Sequence, residues 1–268
     1  MVKLKKSFLL ILIALALSFS DRLSSADDSK EVYPIINDHG SILKGRVIKE
    51  TAEYFKINFD SEIGSTLITF ISENPYKGKE AGTYFENGIE DIKRGNLAEA
   101  IEYFTKAVNA EPNFANAYYD LGMAMFNNSL STDTVIKYFE KSLELKPDFA
   151  EAVCYIGALR GMLGEYDLGI KYLQRSLSLN PELDEAYDYL AGLYSVNNQM
   201  AKAAEIYKMV LERNPENMTA YVTLGAYSLN EGHKEKAKEY LKKAIAISEK
   251  KGNSAVSAKL RKTLEGIQ

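Results

Sequence analysis

Cysteine occurs once in this chain of 268 residues, at Cys154, tryptophan never, and histidine only at His39 and His233. A lone cysteine excludes an internal disulfide, so a fold exported into an oxidising compartment rests on packing alone. Neither histidine has Cys, Asp or Glu at metal-ligand spacing, which leaves metal chemistry without a donor set. A nucleophile elbow, a P-loop and a glycine-rich dinucleotide fingerprint are missing as well. The expectation is a protein with no enzymatic activity, no catalytic residue, no metal and no cofactor.

Long apolar runs are also scarce. The one such stretch, FLLILIALALSF at residues 8–19, follows Lys3, Lys5 and Lys6. It falls short of the roughly 20 residues a membrane-spanning helix needs and has the pattern of a secretory signal peptide. Small residues at Ser24 and Ala26 place cleavage after Ala26, with Ser20 as the competing position, so residues 1–26 read as the signal peptide. Cys154 lies far from that point, so lipid attachment to a cysteine at the processing site is excluded. The expected location is exported, periplasmic or associated with the cell envelope. Loss of the signal lowers the formal charge from −4 by three, to −7, because Asp21 and Arg22 cancel. So acidic a chain is a poor nucleic-acid ligand.

What is abundant is repetition. Gly88, Gly122, Gly157, Ala191 and Gly225 stand 34, 35, 34 and 34 residues apart, and Pro112, Pro147, Pro181 and Pro215 keep step with them. Five segments result, 81–114, 115–149, 150–183, 184–217 and 218–251, each with two helical patterns. The first helix is led by Tyr84, Tyr118, Val153, Tyr187 or Tyr221, and three residues on stands Asn87, Leu121, Ile156, Leu190 or Leu224. The small residue that follows lets the partner helix come close. The second helix pairs a compact residue (Ala100, Val135, Gly169, Ala203, Ala237) with a large one (Phe104, Phe139, Leu173, Tyr207, Leu241). Each proline is expected at or just before the next helix start. Residues 252–268 read as a capping helix that packs through Ala255, Val256, Leu260 and Leu264.

This pattern resembles the tetratricopeptide repeat family, and AEAIEYFTKAVNAEP at 98–112 is similar to that family's second helix and exit turn. The resemblance implies a mainly α fold: a TPR α-solenoid of five helical hairpins over residues 77–251, closed by the capping helix. Residues 27–76 differ, being rich in Ile, Val, Phe and Thr in alternating runs such as 54–59 and 67–71. They read as a small β module of three or four strands, with turns at 38–41, 51–53 and 61–64. The string HGSILKGRVIKETAEYFKI resembles an Sm-like or SH3-like meander. So small a module is expected to pack on the first hairpin or on a partner.

In this family the inner surface comes from first-helix positions, which here are Asn116, Tyr119, Met123 and Phe126, then Glu151 and Cys154, Glu185 and Asp188, and Thr219 and Val222, with Tyr155 and Tyr189 adjoining. Some members grip a partner's terminal carboxylate with a clamp of Lys, Arg and Asn on this face, and that clamp is absent here. The resemblance thus implies a protein–protein interaction scaffold whose concave groove takes a protein or peptide partner with apolar anchors and a basic residue. The rival reading is a structural subunit of an envelope assembly that stacks through its ends. From Glu231 to Gln268, ten Lys or Arg stand against five Glu, which suggests a second contact with an envelope assembly or membrane surface.

Overall fold

The structure is a computed structural model that describes residues 32–36, 42–50, 54–61, 64–127 and 131–267, with strand side chains described at Tyr54 and from Thr69 on. The signal segment, His39, and all or most of the three expected β turns lie outside the described residues. The chain divides into two compact units that meet at Leu159 and Arg160.

In the unit up to Leu159, four strands, β1 (Val32–Ile36), β2 (Ile42–Glu50), β3 (Tyr54–Ser61) and β4 (Gly64–Ile71), pair antiparallel in the order β1-β2-β3-β4. The register sets Phe55 opposite Phe70 and Tyr54 opposite Ile71, and β2 is bulged between Val47 and Lys49. Then come α1 (Glu80–Arg94), α2 (Leu97–Ala110), α3 (Ala115–Asn127), α4 (Thr132–Leu145) and most of α5 (Ala150–Met162). From α1 to α4 the helices form antiparallel pairs because the turns between them are short. Gly95, at φ 85°, ends α1 by returning its N–H to the Asp91 and Ile92 carbonyls, a left-handed residue that glycine adopts without a Cβ clash.

The core of this unit is aromatic. Phe85 packs on Phe104 and Phe114 with centroids 5.6 and 4.7 Å apart, and Tyr119 lies 5.5, 4.8 and 6.1 Å from Phe139, Phe149 and Tyr155. Opposite the large residues stand the small ones: a methyl group on Gly88 would come within 2.6 Å of the Phe104 ring. Asn87 departs from its counterparts in the other repeats and is exposed, whereas Leu121 and Ile156 are buried. Phe85, fully buried, fills the first hairpin instead.

The second unit holds the end of α5, then α6 (Tyr166–Leu179), α7 (Asp184–Val196), α8 (Met200–Arg213), α9 (Met218–Asn230), α10 (Lys234–Lys250) and α11 (Ser254–Glu265). Asn217 caps α9 and Asn253 caps α11, each accepting a backbone N–H three residues on, at 2.9 and 3.2 Å. As the final helix, α11 seats Leu260, with Val256 and Leu264, on Met218, Val222, Leu241, Ala244 and Ile245. Ala255 is exposed, contrary to the sequence reading, and Ser257 is buried in its place. On an α-helix residues three and four before Leu260 share its face, while the residue five before it points away.

The prolines sit just before the next helix, as expected, but they serve a turn rather than the helix start. Each lies in a turn three residues ahead of the next helix, where Phe114, Phe149, Leu183 and Asn217 donate their N–H groups to the carbonyls of Glu111, Lys146, Asn180 and Asn214 at 3.1 to 3.2 Å. That is the second position of a hydrogen-bonded four-residue turn, which the fixed φ of proline suits.

Candidate binding groove

β4 is an edge strand, and an uncovered edge leaves a row of main-chain groups unpaired. Here α3 covers it. Ile71 donates its N–H to Asp120 Oδ1 at 2.9 Å, the Tyr119 hydroxyl donates to the Thr69 carbonyl at 3.1 Å, and Asn116 Nδ2 donates to the Glu73 carbonyl at 2.9 Å. Thr69 and Ile71 alternate along the end of β4 and Glu73 lies two residues beyond it, and the main-chain groups of all three that α3 binds face the helix. Asn116, Tyr119 and Asp120 stand at positions i, i+3 and i+4 on α3, which puts them on one helical face.

The segment stays seated beyond the strand. Asn74 accepts the Tyr76 N–H at 3.0 Å and donates to the Gly82 carbonyl and to Glu86 at 3.0 and 3.1 Å. Tyr76 rests on Phe114 with centroids 4.8 Å apart. Tyr119 is fully buried, and burial, reinforced by Tyr155, Glu151 and Asp120, holds its hydroxyl well above the usual phenol range, so it remains a donor. Asp120 is equally buried. Desolvation pushes its carboxyl well above the usual carboxylate range, against the opposing pull of the Ile71 N–H. Its second oxygen and the Thr69 hydroxyl have no hydrogen-bond partner among the described residues.

Of the groove residues expected in this unit, Asn116 and Tyr119 therefore hold the protein's own extended segment. Met123, Cys154 and Tyr155 are buried, while Phe126 and Glu151 are half-buried. Asp120 was not anticipated, since it lies one residue beyond the inner-face spacing. The signal for it was an acid inside the otherwise apolar and aromatic run AYYDLGMAM.

In the second unit Asp188, 8% exposed, accepts from Asn217 Nδ2 at 3.2 Å, which ties α7 to the cap of α9. Glu185, Thr219 and Val222 are buried and Tyr189 is half-buried. Arg213 closes the same hairpin from outside. It reaches Glu182 at 2.9 Å and Asp184 at 2.8 Å and lies over the Tyr187 ring, so its guanidinium is held further above its already high range and Glu182 below the usual carboxylate range. The basic surplus of α10 and α11 is partly paired, through Lys238 with Glu235, Lys243 with Glu239, Lys250 with Glu216 and Arg261 with Glu249. Lys234, Lys236, Lys259 and Lys262 are exposed and form no ion pair among the described residues.

Among the described residues no helix is long and apolar enough to cross a membrane, and no His, Cys, Asp and Glu group could hold a metal ion. The TPR repeat family matches residues 88–129, and the tetratricopeptide repeat family matches residues 219–251. An uncharacterized protein of Methanocaldococcus jannaschii is 32% identical over 47 residues, 18% of this chain, and the chain spans 55% of the length of that curated relative. A solved MamA protein is 28% identical at a TM-score of 0.56, covering 65% of this chain and 94% of its own. YrrB, described as a TPR protein with an unusual peptide-binding site, has the same fold at 23% identity and a TM-score of 0.56, covering 68% of this chain and 92% of its own. Two of its stretches match tetratricopeptide repeat models and its fold is that of the TPR protein YrrB, so the chain carries tetratricopeptide repeats, whose stacked hairpins serve as protein-interaction scaffolds.

Proposed function

We propose that this protein is a non-enzymatic scaffold of the cell envelope that captures an extended segment of a protein partner on the inner, first-helix faces of its repeats. The observation that carries this reading is that Asn116 and Tyr119, two positions expected to line the groove, hold an extended chain through its carbonyls. Support for the location comes from the basic and apolar N-terminal pattern at residues 3–19 and the small residues near Ala26. The exposed Lys234, Lys236, Lys259 and Lys262 of α10 and α11 favour a secondary contact with an anionic membrane surface.

Photo-crosslinking in intact cells tests the reading. A crosslinker at Phe126, Glu151 or Tyr189 is expected to trap the same partner, and one at Tyr172, a second-helix position, to trap none. Equal trapping from Tyr172, or none from any inner position, rejects capture on the first-helix faces. Mass measurement of the protein recovered from cells, expected to start after Ala26, checks export.

A further inference from the structure

We propose that the inner face of α3 is a receptor for a β-strand edge, one that reads main-chain groups, and that the protein's own β4 closes it until a partner strand takes its place. This deepens the reading above and rests on it. The three bonds from Asn116, Tyr119 and Asp120 of α3 to the segment go to the backbone: an N–H at residue 71 and carbonyls at residues 69 and 73. A site with one carboxyl acceptor flanked by two donors, spaced for alternate residues, fits the bare edge of any strand and asks little of its sequence. A second observation points to the same ligand class. Asp120 is fully buried and aimed at the strand, yet one of its oxygens finds no partner among the described residues. Such a group in a purely structural core is costly, whereas facing a strand edge it offers a spare polar oxygen to an incoming main chain.

The closing segment is joined to what it closes. Residues 72–79 link β4 to α1, and Asn74 pins that link to the first turns of α1 through Gly82 and Glu86. Release therefore needs the edge bonds, the Asn74 contacts and the packing of Phe70, Ile71 and Tyr76 to be given up, with no helix unfolding. The β3–β4 ladder can leave as one piece, because its pairing uses the opposite edge of β4.

The probe is a fluorescein-labelled peptide of residues 66–76, read by fluorescence anisotropy against the full-length mature chain. Ile71→Pro removes the one N–H that Asp120 accepts while sparing the ladder side, and Tyr119→Phe removes a donor while keeping the ring. Hydrogen exchange of residues 69–76 reports whether the segment has left its seat. The wild type is expected to show no saturable uptake at micromolar peptide. Ile71→Pro is expected to exchange freely at 69–76 and to bind the peptide, and Tyr119→Phe to do both in part. A peptide N-methylated at the position of Ile71 should bind about tenfold more weakly, the loss of one bond to a charged or strongly polar acceptor.

Wild-type uptake equal to that of Ile71→Pro overturns closure by β4. A folded Ile71→Pro chain that frees 69–76 yet takes up no peptide, that keeps 69–76 seated, or that binds the N-methylated peptide equally well overturns the main-chain receptor. If Ile71→Pro fails to fold, Tyr119→Phe decides by the same readouts. Because the probe is the protein's own segment, peptide uptake together with failed cellular crosslinking would reject the partner reading and leave the strand receptor standing.

Discussion

Replacing glycine by alanine at equivalent positions in two repeats should have opposite effects on stability. In both α1 and α9 the change favours the helix by about 0.5–1 kcal/mol, since alanine loses less backbone entropy. What differs is the neighbour. At Gly88 the new methyl would sit 2.6, 2.8 and 3.0 Å from three atoms of the Phe104 ring, which is fully buried and braced by Phe85. Overpacking of that kind costs about 1–3 kcal/mol, so Gly88→Ala should lose up to about 2 kcal/mol net. At Gly225 the nearest atoms are Leu241 Cγ at 3.3 Å and Cδ2 at 3.5 Å, a contact that a small side-chain adjustment relieves, so Gly225→Ala should gain about 0.5 kcal/mol. The fourth repeat makes the same point, since Ala191 occupies this position there and is completely buried. Repeat arrays do not unfold as one cooperative unit, so the proper assay is hydrogen exchange of α1 and α9 at increasing urea, beside the circular-dichroism transition. Equal effects at the two sites, or loss at Gly225 with gain at Gly88, would refute the claim that the large residue of the second helix sets the room available.

Three further outcomes are expected. Tyr119→Phe should cost about 1 kcal/mol in urea unfolding, the worth of one buried hydrogen bond, because the Thr69 carbonyl loses its donor while the ring still fills its place among Phe139, Phe149 and Tyr155. Asp120 makes stability pH-dependent. Its carboxyl is raised in the folded state, so its contribution is complete below the ordinary carboxylate value and is lost as pH rises from there through the raised one; Asp120→Asn should flatten that decline in urea midpoints, and an unchanged slope would exclude Asp120 as its source. Leu260→Ala should cost about 2–3 kcal/mol by opening a cavity under α11, and limited proteolysis should then cut first within residues 252–268.

The hairpins were legible in the sequence because their signals are local. A period near 34 residues, a small residue in each first helix and a proline in each connection suffice to place the helices within a few residues. The prolines misled by their function rather than their place, since a turn and a helix start both accept a fixed φ and a missing N–H. Ala255 misled because composition alone does not tell which of two neighbouring small residues faces inward. The seat of β4 was illegible for a different reason. Its bonds join residues 49 and 50 apart in sequence, and no period announces such a pairing. Family position singled out Asn116 and Tyr119 as groove residues, but not that the protein's own edge strand would meet them. Asp120 required that strand to be known, because a buried acid has a reason only once its donor is visible.

Closure in cis sets a quantitative demand on any partner. A segment held by an eight-residue link, 72–79, is presented to its seat at an effective concentration of about 1 mM. A free strand that makes the same contacts as β4 must reach a comparable concentration to displace half of it. A partner that acts at micromolar levels must therefore gain a further factor of about 10³, or roughly 4 kcal/mol, from contacts that β4 does not make. In this unit Phe126 and Glu151 are the groove residues left half-buried, and neither takes part in the bonds that hold residues 69–76. A partner strand that extends onto them, with an apolar side chain at Phe126 and a basic one at Glu151, has the means to win the exchange. A strand no longer than β4 does not. Selectivity then follows from displacement: the main-chain bonds are common to every candidate strand and cancel, and discrimination is left to the side chains beyond the seat.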